Sequence, residues 1–437
     1  MKLIDGIPVW GEPVDEGALQ QIRTCAQTAD RVALMADHHL GYAVPIGGVV
    51  AYRDAVSPSG VGYDIGCGNK AVLVDADAAS VRLDIEAIMD DISSRISFGI
   101  GQRNETRVDH ELFDDERWSM RPLAPLKEMA RAQLGTVGSG NHYVDLFEDE
   151  LGRVWIGVHF GSRGFGHKVA THFLKMGGAT DGMHVPPLVL GARTPLGADY
   201  VEAMTLAGRY AYAGRDWVCA EVARILGATV LEEVHNHHNY AWRETHFGEE
   251  LWVVRKGATP AFPGQLGFVG GSMGDDSVIL EGVYPSTLDE DEDQKRALYS
   301  TVHGAGRVMS RTEAAGKTKR RSGWACGNRD CDGWLTNDAK RAADGSNPKC
   351  PKCGATTHKR FVSERIREGR ISRSMMHEWI GAKGVTLRGA GTDESPHCYK
   401  RLPEVLRHHE RSVSVLHTLH PIGVAMAGED EFDPYKD

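Results

Sequence analysis

The chain has 437 residues, 41% of them hydrophobic, enough for a large buried core. It contains no run of ~18 apolar residues, which excludes an ordinary membrane-spanning helix. The segment MKLIDGIPVWGEPVDEG has acids and prolines where a signal peptide would be apolar, so a cytoplasmic setting and reduced cysteines are expected.

In chain order, residues 15–36 have spaced apolar positions that predict a helix. GGVVAYRDAVSPSGVGYDIGCGNKAVLVDA reads as short strands broken by glycine turns. VWIGVHF, residues 154–160, predicts a strand running into GSRGFG. Residues 197–227 have helical periodicity and a closing glycine. ELWVVRKGATPAF reads as a strand leaving into a loop, and SERIREGRISRSMMHEWI, from residue 363, reads as a helix with a solvated basic face. The 51 glycines gather where the histidines and cysteines sit, at 59–68, 135–140, 157–166, 264–274 and 303–306. If these distant loops build one site, most of the chain folds as one catalytic domain.

Net charge is −10, which argues against a general nucleic-acid binder. Its distribution is uneven. Residues 311–373 carry 16 Lys/Arg against 7 Asp/Glu, a balance of +9, and the remainder carries −19. A basic region on an acidic body fits a polyanion held at one face. Within that region stand Cys326, Cys331, Cys350 and Cys353. Two close cysteine pairs separated by 18 residues predict a structural Zn²⁺ ribbon, although the first pair is spaced more widely than usual. A closed set of four thiolates leaves no open position for a substrate.

Other glycine loops offer mixed ligands. GVGYDIGCGNKAV places Asp64 and Cys67 three residues apart, GSGNHY gives Asn141 and His142, and HFGSRGFG gives His159 and Arg163. HNHHN offers His235, His237 and His238, then Asn239. In an extended chain His235 and His237 share a face and His238 opposes them, but spacing leaves open which one binds. Each histidine alone reads more readily as a core or turn residue. One Asp, one Cys and several His in glycine loops together form a divalent-metal inventory. RKGATPAFPG adds Arg255 and Lys256, and GGSMGDD offers backbone N–H groups around Ser272, suited to phosphate or a base edge. HGAGRVMSR sets His303 in a near-glycine loop ahead of Arg307 and Arg311. An imidazole there reads as nucleophile, ligand or acid/base group, beside cations shaped to grip phosphate.

These motifs, in this order and ending with YK at 399 and HPIGVAMAG at 420–428, resemble the RtcB family of RNA-splicing ligases over nearly the whole chain. The resemblance implies an α+β fold: a single large RtcB-like catalytic domain with mixed β-sheets and flanking helices, spanning 1–318 and 361–437, plus a small zinc ribbon inserted at 319–360. It implies an enzyme that joins an RNA 3′-phosphate, or a 2′,3′-cyclic phosphate after hydrolysis, to a 5′-hydroxyl, in RNA repair or tRNA splicing. His303 would attack GTP and carry GMP. Two Mn²⁺ ions would be held by Asp64, Cys67, His142, His159 and His238, with Cys67 bridging; chemistry alone would suggest zinc. Asn141, Asn239, Ser272 and Arg307 would contact the guanylate and Tyr399 would stack on guanine. Arg163 and Arg311 would hold RNA phosphates. Some members use an archease-type activator.

The chain departs from the family pattern in several places. Ala36 replaces a usual proline, while Asp37 and His39 remain. Gly270 also replaces a proline, and Met426 stands where a lysine usually reads guanine, ahead of an acidic tail. The cysteine-rich insert leaves two readings open, contact with RNA beside the site or a brace for the fold. Two other classes stay in view: a metal-dependent phosphohydrolase that would not need His303, and a non-catalytic RNA-binding repair factor.

Overall fold

Two sheets organise the chain in the computed structural model, which describes residues 1–180, 182–328 and 330–429. The first has six strands in the order Lys2–Ile4, Ile7–Val9, Arg31–His39, Ile46–Tyr52, Glu249–Lys256 and Asn239–His246. The second runs Val230–His237, Gly68–Asp77, Arg153–Phe160, Tyr143–Asp149, Val413–Gly428, Ser277–Gly282 and Leu266–Val269, with Thr386–Ala390 parallel to the Val413–Gly428 strand. Sheets and helices intermix along the chain, an α+β arrangement. The expected strand at 154–160 is present, one residue longer.

Register in the second sheet carries function. Asn236, Asn69, His159, Tyr143 and Met426 are successive cross-strand partners. Directly opposed residues share a face, so one transverse row bears most of one wall of the site. Farther along the same strands, on the same face, lie fully buried Trp155 and Phe147, packed with Phe268, each contributing about 1.5–3 kcal/mol by leaving water.

The expected long helix is Pro195–Leu226. Thr194 caps it by accepting the Gly197 N–H, proline opens it, and Gly227 closes it in the left-handed region. It packs across the Gly68–Asp77 and Arg153–Phe160 strands. The helix expected over 15–36 is only Glu16–Cys25, capped by Asp15. Beyond it Arg31–His39 is a strand, because its run ALMA, residues 33–36, is buried on both faces between two neighbours.

The region 363–380 also differs from its expected helix. Residues up to Glu368 belong to strand Thr357–Glu368, and helix begins at Arg373 behind a Ser372 cap. That strand pairs antiparallel with Gly316–Cys326, joined by a short third strand, Trp334–Thr336. The result is a β-arm, and the expected insert limits 319 and 360 fall inside its two long strands. The acidic tail from 430 lies outside the described residues. No helix among the described residues is long and apolar enough to cross a membrane.

Candidate active site

A cavity of about 230 Å³ opens between the two sheets. Asp64, Cys67, Asn141, His142, His159, His238, Asn239, Ser272, His303, Arg307, Arg311 and Tyr399 all line it. Thus loops scattered over more than 300 residues meet in one place. Asp64 reaches its position because Gly161 has no side chain; a Cβ there would strike the carboxylate.

Cys67 stands between two imidazoles. Its Sγ lies 3.2 Å from His159 Nε2 and 3.7 Å from His142 Nε2. His142 Nε2 lies 3.1 Å from Asp64 Oδ2, and His159 Nε2 lies 3.3 Å from His238 Nε2. Ligand atoms of Cys67, His142 and His159 all lie within 4.8 Å of one another, with Asp64 beside His142 and His238 beside His159. The His159 Nδ1–H donates to the Asn141 carbonyl at 2.9 Å, which leaves Nε2 with its lone pair. Burial holds His159 and His238 well below the ordinary imidazole pKa, so both rings are neutral. Burial would raise Asp64, but the bond and charge of His142 outweigh it and bring the carboxyl to about 2. Burial and the neighbouring Asp64 push the Cys67 thiol up. Lone pairs of N, O and S converging at such distances suit divalent cations, which would also deprotonate the thiol.

The fold answers the question left by three clustered histidines. Strand Val230–His237 belongs to one sheet and strand Asn239–His246 to the other, so His238 alone spans the switch. Its N–H donates to the Cys67 carbonyl at 2.8 Å. His235 and His237 point away, to the fully buried Arg215. Arg215 Nε donates to His235 Nε2 at 2.8 Å, and its Nη2 meets His237 Nδ1 at 3.0 Å. Its Nη1 donates to the carbonyls of Gly66 and Phe160 at 2.9 and 2.5 Å. One guanidinium therefore pins the residues flanking Cys67 and His159. Arg255 is equally structural: it bonds Glu244, Ser300 and the Leu298 carbonyl. Lys256 bonds the carbonyls of Tyr42 and Ser59.

His303 stands next to His238, ring centroids 4.7 Å apart. Its Nδ1 meets Asp37 Oδ2 at 2.6 Å, and its backbone N–H donates to the same oxygen at 3.0 Å. Asp37 is fully buried. Burial would raise its pKa; the His303 charge and both hydrogen bonds prevail and hold it below the usual carboxylate value. With Nδ1 engaged, Nε2 is left for the cavity and makes no hydrogen bond among the described residues. Gly306, at φ +79°, lets the loop close against the Asp37 backbone. His39 also lines the cavity, its pKa pushed by burial to about 4.

At the other end Glu394 gathers three groups. Arg307 Nη1 bonds Glu394 Oε2 at 3.1 Å and the Tyr399 hydroxyl at 2.7 Å, while its guanidinium lies over the Tyr399 ring. Tyr399 donates to the same carboxylate, and Arg311 Nε lies 3.3 Å from its other oxygen. Ser272 bonds Asp275 at 2.5 Å, and Asn239 Oδ1 accepts the Gly257 N–H at 2.7 Å. Arg163 stands apart: it donates to the Gly99 carbonyl and the Thr136 hydroxyl and does not line the cavity. Asp145, which sequence reading missed, does line it; burial pushes its carboxyl well above the usual range, and its Oδ1 has no partner. Asp37, Glu394, Asp145 and Arg215 had no motif-level role, since each acts through partners distant in sequence.

The family model described as tRNA-splicing ligase RtcB matches residues 18–124 and 119–329. The chain belongs to the RtcB family. The RNA-splicing ligase RtcB1 of Escherichia coli is 32% identical to it over 347 residues, covering 70% of this chain and 82% of that protein. The tRNA-splicing ligases RtcB of Pyrobaculum aerophilum and Thermococcus kodakarensis are 31% and 29% identical over 64% and 68% of this chain, and 73% and 78% of their own lengths. As a family member the chain combines the cavity with a second cluster at the arm's tip. There Cys326 Sγ lies 3.3 Å from Cys353 Sγ and Cys331 Sγ lies 3.7 Å from Cys350 Sγ, all four close enough for one ion.

Proposed function

We propose that this RtcB-family chain is a GTP-dependent RNA ligase that joins a 3′-phosphate, or a 2′,3′-cyclic phosphate once hydrolysed, to a 5′-hydroxyl in RNA repair or tRNA splicing. The observation that carries this reading is His303, fixed through Nδ1 by Asp37, lining the same cavity as Asp64, Cys67, His142, His159 and His238. In the first step the Nε2 lone pair forms a bond to the α-phosphorus of GTP, and the bond to the bridging oxygen breaks to release pyrophosphate. Asp37 keeps the proton on Nδ1 and stabilises the positive ring as the N–P bond forms, the role a carboxylate plays behind a histidine base. An RNA 3′-phosphate oxygen then displaces His303 and takes GMP. Finally the 5′-hydroxyl oxygen attacks the 3′-phosphorus, its proton leaves, and GMP departs.

Two Mn²⁺ ions are the cofactors proposed, one for Asp64, Cys67 and His142 and one for Cys67, His159 and His238; when bound they neutralise phosphate charge and align in-line displacement. Asn141, Asn239, Ser272 and Arg307 contact the guanylate, with Tyr399 placed for the base. Arg311 takes RNA phosphate, and Arg163 does so only if it leaves its present carbonyl partner. Met426 puts a thioether at the base end of the cavity, opposite Tyr143 in register, so discrimination of GTP from ATP is weak. Zn²⁺ closes the four-cysteine cluster. An archease-type activator is the further partner proposed, and the cytoplasm the compartment.

The test is incubation with Mn²⁺ and labelled GTP. An acid-labile protein adduct that disappears in His303→Ala supports the ligase; turnover of RNA ends without an adduct points to the phosphohydrolase.

A further inference from the structure

The β-arm grows directly from the wall of the cavity. Arg311, which lines that cavity, opens the short helix Arg311–Ala315, and the strand Gly316–Cys326 follows without a linker. The returning strand is fastened at the same root. The Arg370 and Ile371 N–H groups donate to the carbonyls of Glu313 and Ala314, and Arg370 pairs with Glu313 at 2.6 Å. Ala314, Ile371 and Cys398 pack together with Met309 and Tyr399 beside them. The arm is thus seated on the residue that closes the nucleotide end of the site.

Eleven residues of strand, ten steps at ~3.3 Å each, carry the arm about 33 Å outward. Its described cations are distributed along that length. Lys317 and Arg367 stand directly opposite one another near the root, and Lys359 and Arg360 lie near the tip; all four are exposed. Lys349 adds an exposed cation beyond them, on the loop that carries Cys350. Lys317 and Arg360 form no ion pair among the described residues. Like charges placed directly across a strand pair destabilise it. A long exposed hairpin that keeps them, on a body whose remaining charge is −19, is complementary to a polyanion whose charges recur at short intervals. Phe361, largely exposed on the same strand, adds an aromatic surface.

We propose that the arm is an RNA-binding strut that grips the phosphate backbone of the substrate away from the break. It acts as a ruler: the benefit grows as the RNA extends along the arm, to about 33 Å from the joined ends. Its contribution lies in binding, not chemistry, since its cations stand outside the cavity. The four-cysteine tip keeps the far end folded so that Lys349, Lys359 and Arg360 hold their positions. This rests on the ligase reading for the identity of the ligand, while the test below reads RNA binding independently of ligation.

The experiment compares the full chain with a triple variant, Lys317→Gln/Lys359→Gln/Arg360→Gln, and with a second variant in which residues 317–367 are replaced by a short Gly-Ser linker. Binding of RNAs whose stems extend graded distances from the break is measured by fluorescence anisotropy at several salt concentrations, alongside GTP adduct formation. On long RNAs both variants should bind at least tenfold more weakly. The triple variant's slope of log K against log salt should be less steep by about 2 to 3, at roughly 0.7–0.9 per lost phosphate contact. On RNAs too short to reach past the arm's root, affinity should be unchanged, and the adduct should form normally in every protein. Unchanged affinity for long RNA in both variants overturns the proposal, as does an equal loss on short and long RNA. Absence of an adduct in the unaltered chain, with length-dependent binding intact, would sink the ligase reading alone.

Discussion

The described residues hold two clusters of potential metal ligands, and their surroundings differ in every respect that matters for chemistry. The Cys67 cluster mixes thiol, imidazole and carboxylate, is drawn from strand ends of the second sheet and from the switch residue His238, and faces a cavity. The arm cluster is four thiols from one local hairpin at the surface. A mixed set with open coordination suits catalysis, whereas four thiolates saturate a tetrahedral ion and can only hold a fold together. Sequence position tells the same story. The arm's four thiols span 28 residues, but the cavity's donors run from 64 to 238 and meet only once the second sheet and its switch into the first have formed.

Substitutions can break or sharpen this contrast. The largest effect is expected from Cys67→Ala, which removes a donor from both sets at once; guanylylation should fall to background, and metal content measured by mass spectrometry should drop by about two ions per chain. His303→Ala should also abolish the adduct but leave that metal content in place. Asp37→Asn keeps the shape and loses the charge behind His303. The adduct rate should fall by about 10- to 100-fold, the range seen when an orienting partner is removed, with little change in GTP affinity. Arg215→Met should destabilise the fold by about 3 kcal/mol, since the Gly66 and Phe160 carbonyls each lose a buried donor; denaturant unfolding would measure it. The smallest effect on chemistry belongs to Cys350→Ser. Proteolysis within the arm should quicken while guanylylation stays within about twofold, on the principle that sites far from the reacting groups act independently. A large loss of adduct in that variant would mean that the two clusters are coupled.

Residues alone offered a divalent-metal inventory in glycine loops, while the role of each residue came from the RtcB resemblance. The Pro195–Leu226 helix and the Arg153–Phe160 strand were plain from their periodicity. The arm's outer strand was not. Arg365, Arg367 and Glu368 alternate no more like a strand than like a helix, and what makes them a strand is pairing with residues some 50 positions earlier. Asp37 was visible only as a letter in MADHH; its partner lies 266 residues away. His238 could not be told from His235 and His237 until the sheet switch was seen.

That switch has a consequence for how the protein should fail on warming. One residue joins the two sheets and is itself a donor at the centre where they meet, so its position depends on how the sheets seat against each other. A slight slackening of that seating would displace the ring while every ladder of hydrogen bonds stays intact. Loss of turnover should therefore precede the melting seen by circular dichroism, with the gap between the two temperatures recording how tightly the halves are clamped.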